Sequence, residues 1–360
     1  MSTTATKKMI EAYFSERVPT MFLSGFFPST AADYYNGESV EVDIVRGSEG
    51  VSVPVPDLNA GARKVKADVY TNKEFKPPIY CEEAHINGFT LIKREPGQNP
   101  FEDPNYQANG IVRSFNLFRQ MEARLRRSIE LQAAQGLQDG EIALVDDTGA
   151  TAFSMSFFPK GTHYPTATTP WGTAGYDPIQ DLIDLCDVVR EDGLADVDTL
   201  IFGAAAWESL LDNDKAKARL DNRKIEAGLI APMAPNGQGG KYMGSLELGA
   251  YRVDCWTYNG MYNHPQTGTK TRFVTTGNVI ALASTGVRRA TWGGIPQIVP
   301  PDQRVMPFLP ERMSNAAAGI DLFPFAYVAP NGQSVTLSLS ARPLLIPVGI
   351  DTHGCLRTGL

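Results

Sequence analysis

One stretch constrains the fold more than any other. From Asp103 to Gly136 the sequence reads as a single helix of ~30 residues, ~45 Å long at 1.5 Å rise per residue. Asp103 is a residue type that accepts from free N–H groups at a helix start, and Pro104 suits the first helical position. Ile111, Phe115, Phe118, Leu125 and Ile129 recur at helical spacing and mark one apolar face. Gly136 is the expected C-terminal stop. Helices average about 11–12 residues, so this one needs a long surface to lie on. Arg113, Arg119, Arg124, Arg126 and Arg127 occupy much of the rest of it. A solvated face paired with acidic neighbours is the simpler reading of these arginines; a nucleic-acid contact is the alternative.

The segments before this helix look extended. Val40, Val42 and Ile44 alternate, as do Val51, Val53 and Val55, which predicts two half-buried strands joined by the turn-type run Arg46 to Gly50. Pro54 and Pro56 remove ladder donors, which suits an edge or protruding strand. Arg63, Lys64, Lys66, Lys73 and Lys76 then cluster against only Asp68 and Glu74. Two readings stand: a solvated, charged hairpin, or a long basic loop lying across an acidic neighbour. Nearer the N-terminus, the one apolar cluster is Met21 to Pro28, with Phe22, Phe26 and Phe27. It is either the first core element or an arm that docks elsewhere.

After the helix, a hairpin is expected: Ile142 to Val145, the turn Asp146-Asp147-Thr148-Gly149, then Phe153, Met155 and Phe157 in alternation. A Gly/Thr/Pro-rich linker from about Pro159 to Gly175 is the candidate domain boundary. The second half opens on Asp177-Pro178, with Ile179, Leu182, Ile183, Cys186 and Val189 on one helical face. Leu200 to Phe202 reads as a buried strand, and Ala204 to Leu211 and Lys215 to Asn222 as helices. Tyr251 to Tyr258, Arg272 to Thr276, Val279 to Ala283 and Ser334 to Ser340 read as strands. The class is α+β, with no internal repeat and no alternating βαβ series.

Composition narrows the function. The chain has 360 residues, a net charge of -7, 42% apolar and 20% charged residues, which is globular and mildly acidic. That argues against a dedicated DNA reader. Cys81, Cys186, Cys255 and Cys355 are scattered and form no CxxC pair, as in a reduced compartment. No apolar run follows Lys7 and Lys8, and none approaches membrane-spanning length, so neither a signal peptide nor a membrane partner is expected.

Signatures of chemistry are missing. Pro235 to Tyr242 superficially resembles a phosphate-binding loop, but Pro235 stands at its first glycine position and Tyr242 at its Ser/Thr position, so it reads as a surface loop. Asp181, Asp184 and Asp187 lie opposite an apolar stripe and read as a solvated face. His85, His163, His264 and His353 show no metal spacing, and His353 with Cys355 supplies only two ligands where zinc takes three or four. No catalytic residue, cofactor or metal is expected, and the chain is not read as an enzyme.

The order of elements resembles the lambda-type family of phage major capsid proteins, the E family, which has the Hong Kong 97-like shell fold. The resemblance is carried by the aromatic cluster Met21 to Pro28 and by Asn99 to Tyr106 leading into the long helix. It continues through Leu200 to Phe202 with Trp207, Lys215 to Asp221 with Arg223, and Tyr242-Met243-Gly244. Tyr251-Arg252-Val253 with Tyr258, and Ala341 to Leu345, complete it.

The resemblance implies an N-terminal arm (1–37), an extended β loop (38–95), a peripheral domain around the long spine helix (96–175 and 285–340) and an axial domain (176–284 and 341–360). It implies a shell subunit located in the virion, assembled in the host bacterial cytoplasm. Its partners would be itself, as hexamers and pentamers, with scaffolding, portal and decoration proteins, and packaged DNA bound on the inner face without sequence specificity. It favours Phe26, Phe27, Arg63, Lys64, Lys66, Lys73 and Lys76 as intersubunit contacts. The alternatives are a nanocompartment shell on the same fold and another virion structural protein.

Overall fold

The computed structural model describes residues 21–35, 37, 39–45, 70–87, 106–221, 239–295, 321–328 and 334–360. Arg63, Lys64, Lys66, the Val51 to Val55 run and the Asp103-Pro104 start lie outside them. After two one-turn helices, Ser24–Phe26 and Ala31–Asp33, come β1 (Val40–Val45), β2 (Tyr70–Phe75) and β3 (Tyr80–Asn87). β1 and β2 pair antiparallel, with Val42 opposite Lys73.

The long helix, α1, spans Tyr106–Asp139, 34 residues or roughly 50 Å. It does not stop at Gly136. Leu137 and Gln138 are 0% and 5% exposed, so the last turn is core. The Gln138 side chain donates to the Phe273 carbonyl at 2.8 Å and accepts from the Thr275 N–H at 2.9 Å. These contacts outweigh the cost of a mid-helix glycine, about 1 kcal/mol. The left-handed residue that ends the helix is Gly140, φ +65°. The apolar face holds Phe118, Leu125 and Ile129 as expected and adds Met121, Ala133, Ala134 and Leu137.

β4 (Glu141–Val145) and β5 (Thr151–Ser156) form the expected hairpin. In its turn Asp146 Oδ1 accepts from the N–H groups of Thr148 and Ala150 at 2.8 and 2.9 Å, and Gly149 takes φ +86°. α2 (Pro178–Gly193) starts where expected, with Asp177 Oδ1 accepting from the Ile179 N–H. β6 (Thr199–Phe202), α3 (Ala204–Asp212) and α4 (Asp214–Arg219) follow. The helix predicted from Lys215 stops at Arg219, because Leu220 and Asp221 leave it as β7 to pair with Leu246 and Ser245.

β8 (Gly240–Leu248), β9 (Tyr251–Tyr258), β10 (Met261–Asn263), β11 (Lys270–Arg272) and β12 (Asn278–Leu282) come next. Gly240 to Tyr242, read as surface loop, open β8 instead. The strand expected over Arg272 to Thr276 ends at Arg272, and Phe273 to Thr276 bend away with the Thr275 N–H held by Gln138. β13 (Arg289–Trp292), β14 (Phe323–Val328), β15 (Ser334–Ala341), β16 (Pro343–Ile346) and β17 (His353–Arg357) complete the chain.

Six strands form one sheet in the order β17-β12-β6-β9-β8-β7. Only β6 and β9 in it run parallel. Side chains alternate across a strand, and here both faces are covered. Leu200 and Phe202 join a core with α2 and α3, alongside Val279 and Ala281. Ile201 and Ile280 join a second core with α1 and the N-terminal segment. Double coverage explains why Leu200 to Phe202 and Val279 to Leu282 are unbroken apolar runs. A three-stranded sheet, β14-β15-β3, and the β13-β16 pair lie beside α1. The chain re-enters the six-stranded sheet at β17, while residues 343–346 pair with β13.

Candidate functional site

The residues Met21 to Phe27 form a plug between α1 and the six-stranded sheet. Phe22 and Leu23 are 0% exposed, Phe27 is buried and Phe26 half-buried. The Phe22 ring lies 5.3 Å from Tyr258, 5.7 Å from Trp256 and 5.4 Å edge-on from Phe26. Gly240 makes room for it, since a Cβ there would strike the Phe22 ring. The aromatic cluster is thus a core element of its own chain. Phe27 has its contacts inside this subunit, and of the two proposed phenylalanines Phe26 keeps more surface.

What fastens the plug is Glu130, on α1 and 0% exposed. Its two carboxyl oxygens accept the consecutive N–H groups of Leu23 and Ser24 at 2.7 and 2.8 Å. The buried Tyr258 hydroxyl faces the same carboxyl without reaching hydrogen-bond geometry. Burial raises the Glu130 carboxyl above its ordinary range, and the two N–H groups oppose that shift. Beyond the plug, Asp33 accepts from Thr30 N–H at 2.7 Å and from Arg289 at 3.1 Å. Burial pushes the Asp33 carboxyl up, but the bonds from Thr30 and Arg289 outweigh it and hold it below the usual range. Tyr34 stacks on Trp292 with ring centres 6.2 Å apart.

Sequence reasoning missed Glu130. The signal was present: Glu122, Arg126 and Glu130 follow each other at i, i+4 within the stripe of Phe118, Leu125 and Ile129. Arg126, expected on the solvated face, is instead 8% exposed, with Glu122 at 3.3 Å and Asp321 at 3.1 Å. Arg124 is exposed and pairs with Glu82 at 2.8 Å, as a solvated face predicts.

Of the proposed basic contacts, Lys76 is exposed just beyond β2, and Lys73 lies within β2. Asp181, Asp184 and Asp187 are structural acceptors. Asp181 takes bonds from Trp171 and Tyr176, Asp184 from Gln180 and Asp187 from Tyr251. His353 is fully buried, its pKa pushed down to about 3 by desolvation and then by Arg288. Its Nε2 meets the Tyr164 hydroxyl at 3.2 Å. Among the described residues no group of three His, Cys, Asp or Glu side chains could hold a metal ion, and no helix is long and apolar enough to cross a membrane.

The family model described as phage major capsid protein E matches residues 4–353. A prophage capsid protein of E. coli CFT073 superposes with a TM-score of 0.67, at 14% identity and covering 98% of both chains. The capsid of Ralstonia phage GP4 gives a TM-score of 0.51 at 11% identity, covering 95% of this chain and 88% of that one. No curated protein sequence matches. The fold is therefore the Hong Kong 97-like shell fold. With the model spanning nearly its whole length, this chain belongs to the phage major capsid protein E family, whose members are structural proteins of the virion shell.

Proposed function

We propose that this chain is the head subunit of a tailed bacteriophage, which self-assembles into hexamers and pentamers of an icosahedral shell around double-stranded DNA. The family match over residues 4–353 is the observation that carries this reading. The plug of residues 21–27, the strands β1 to β3 and α1 would belong to its arm, loop and spine. The six-stranded sheet with α2 and α3 would be the axial domain, rejoined by the chain near His353. Closed rings need heterologous, head-to-tail contacts. We assign these to Phe26, Lys76 and Lys73, with Arg63, Lys64 and Lys66 in the same loop. Scaffolding, portal and decoration proteins are the further partners of this reading, and assembly takes place in the host cytoplasm.

The test is nuclease treatment of particles recovered from producing cells. Protected double-stranded DNA inside shells made mainly of this chain is expected. Shells filled with a protein cargo and no DNA would favour a nanocompartment instead. The chain found only in tails would make it another virion component.

A further inference from the structure

A groove of about 530 Å³ runs beside α1. α1 lines it with Arg124, Arg127 and Ser128, and β10 lines it with Met261, Tyr262 and Asn263. Met261 is 46% exposed. Tyr262 is half-buried, its ring fixed by stacking on Phe273 at 5.0 Å. Aromatic residues, Met and Arg are enriched at protein interfaces, while Lys, Glu and Asp are depleted. The groove follows that pattern: it has no lysine and one acid, Glu82, which pairs with Arg124. Arg127 is exposed and has no ion-pair partner among the described residues. Guanidinium beside apolar and aromatic surface suits a protein face that brings carboxylates together with apolar contact. The chain carries such a face itself. α2 presents Gln180, Asp184, Asp187 and Glu191 at spacings of four, three and four, all exposed, so they form one stripe. From Asp184 to Glu191 the stripe runs roughly 10 Å at 1.5 Å per residue, and Ile183 and Val188 lie beside it half-buried. The one basic residue of α2 is Arg190, which pairs with Asp196.

We infer that the groove of one copy takes the acidic stripe of α2 from the next copy. The choice of a second copy rests on the shell reading above; the choice of an acidic protein face rests on the groove itself. α1 and α2 cover opposite faces of the six-stranded sheet, so groove and stripe do not meet within one chain. A head-to-tail ring needs two such different, complementary surfaces on every subunit. In the contact Arg127 binds a carboxylate of the stripe through paired N–H donors. Met261 and Tyr262 pack on Ile183 and Val188, supplying the apolar and aromatic anchors of the interface. The bonds these groups make within one chain are Gln180 to Asp184, Tyr251 to Asp187 and Arg124 to Glu82. All three are exposed and exchange at little cost. Opposite charge across the contact sets its register and rejects wrong partners.

The test is sedimentation velocity of the full-length chain over a range of concentrations, with electron microscopy of the same samples. Wild type is expected to self-associate as its concentration rises. Arg124→Glu/Arg127→Glu and Asp184→Lys/Asp187→Lys should each associate at least about tenfold more weakly, since each sets like charges face to face. The chain carrying all four substitutions restores opposite charges and should return to within about threefold of wild type. Such a rescue cannot come from variants that have merely lost their fold, and circular dichroism checks each one. Glu208→Lys/Asp212→Lys on α3 makes the same charge change at two other exposed residues and should associate as wild type does. A wild type that stays monomeric at every concentration, full association of either double variant, or no rescue by the combined one overturns the inference. Equal weakening by the α3 variant also overturns it, because net charge alone would then govern association. Normal shells from both double variants reject this contact and leave the shell reading standing. Charge-rescued association that never closes into rings or shells supports the contact and rejects that reading.

Discussion

Glu130 ties together parts of the chain more than a hundred positions apart in sequence, joining α1 to Leu23 and Ser24. Removing a buried acceptor leaves its donors unmet, at about 1–3 kcal/mol for each group. Glu130→Ala should therefore destabilise the chain by about 2–3 kcal/mol, offset in part by relief of a buried charge. Hydrogen exchange is the specific readout: the amides of Leu23 and Ser24 should lose protection while those of β6 keep theirs. Retained protection at both amides would mean that Phe22 alone holds the plug. Protons act on the same scale. His353 has its pKa pushed down to about 3, so the unfolded chain binds its proton first as pH falls. Its contribution to stability is present above the ordinary histidine range near 6.5 and is lost as pH falls from there toward 3. The steepest slope one proton allows is about 1.4 kcal/mol per pH unit. Urea unfolding from pH 7 to pH 4 should show that loss, and His353→Leu should flatten it. Glu130 works in the other direction: its raised pKa gives stability below the ordinary glutamate range that is lost as pH rises.

At the scale of elements, the end of α1 separates two glycines that look alike in sequence. Gly136 is helical, and a Cβ there would meet only the Phe157 ring at an ordinary 3.8 Å. Gly136→Ala should raise stability by up to about 1 kcal/mol. Gly140 has φ +65° and no space for a Cβ beside Pro159. Gly140→Ala should cost about 1–2 kcal/mol from backbone strain, before any clash. Thermal unfolding of the pair checks both signs, and the reverse order would put the helix end back at Gly136. Local signals served well wherever local physics decides. The periodicity of α1, the Asp177-Pro178 cap and the Asp146 turn were legible because each depends on neighbours in sequence. Gly136, Leu220 and Phe273 misled because distant residues decide them: Gln138 against Thr275, Leu246 against Leu220, Gly260 against Phe273. The plug was half legible. Its aromatic content marked it, but Glu130 and Gly240, which complete its socket, reveal themselves only once the chain is folded.

For the whole molecule, the family and the fold agree with an expectation first raised by the order of elements along the chain. The basic loop is where that expectation reaches toward a neighbouring copy. Lys64→Glu/Lys66→Glu should impair shell assembly while leaving the unfolding midpoint of the isolated chain within about 0.5 kcal/mol of wild type, as for ordinary surface changes. Normal shells from this variant would remove the loop from the contact. The central claim is that the chain builds shells, and its most direct test is negative-stain electron microscopy of the purified, overexpressed chain beside its size-exclusion profile. Rings, closed shells or tubes of uniform wall thickness are the predicted result. A monodisperse monomer or dimer that persists at high concentration, with crowding agent and with co-expressed scaffolding protein, would contradict it.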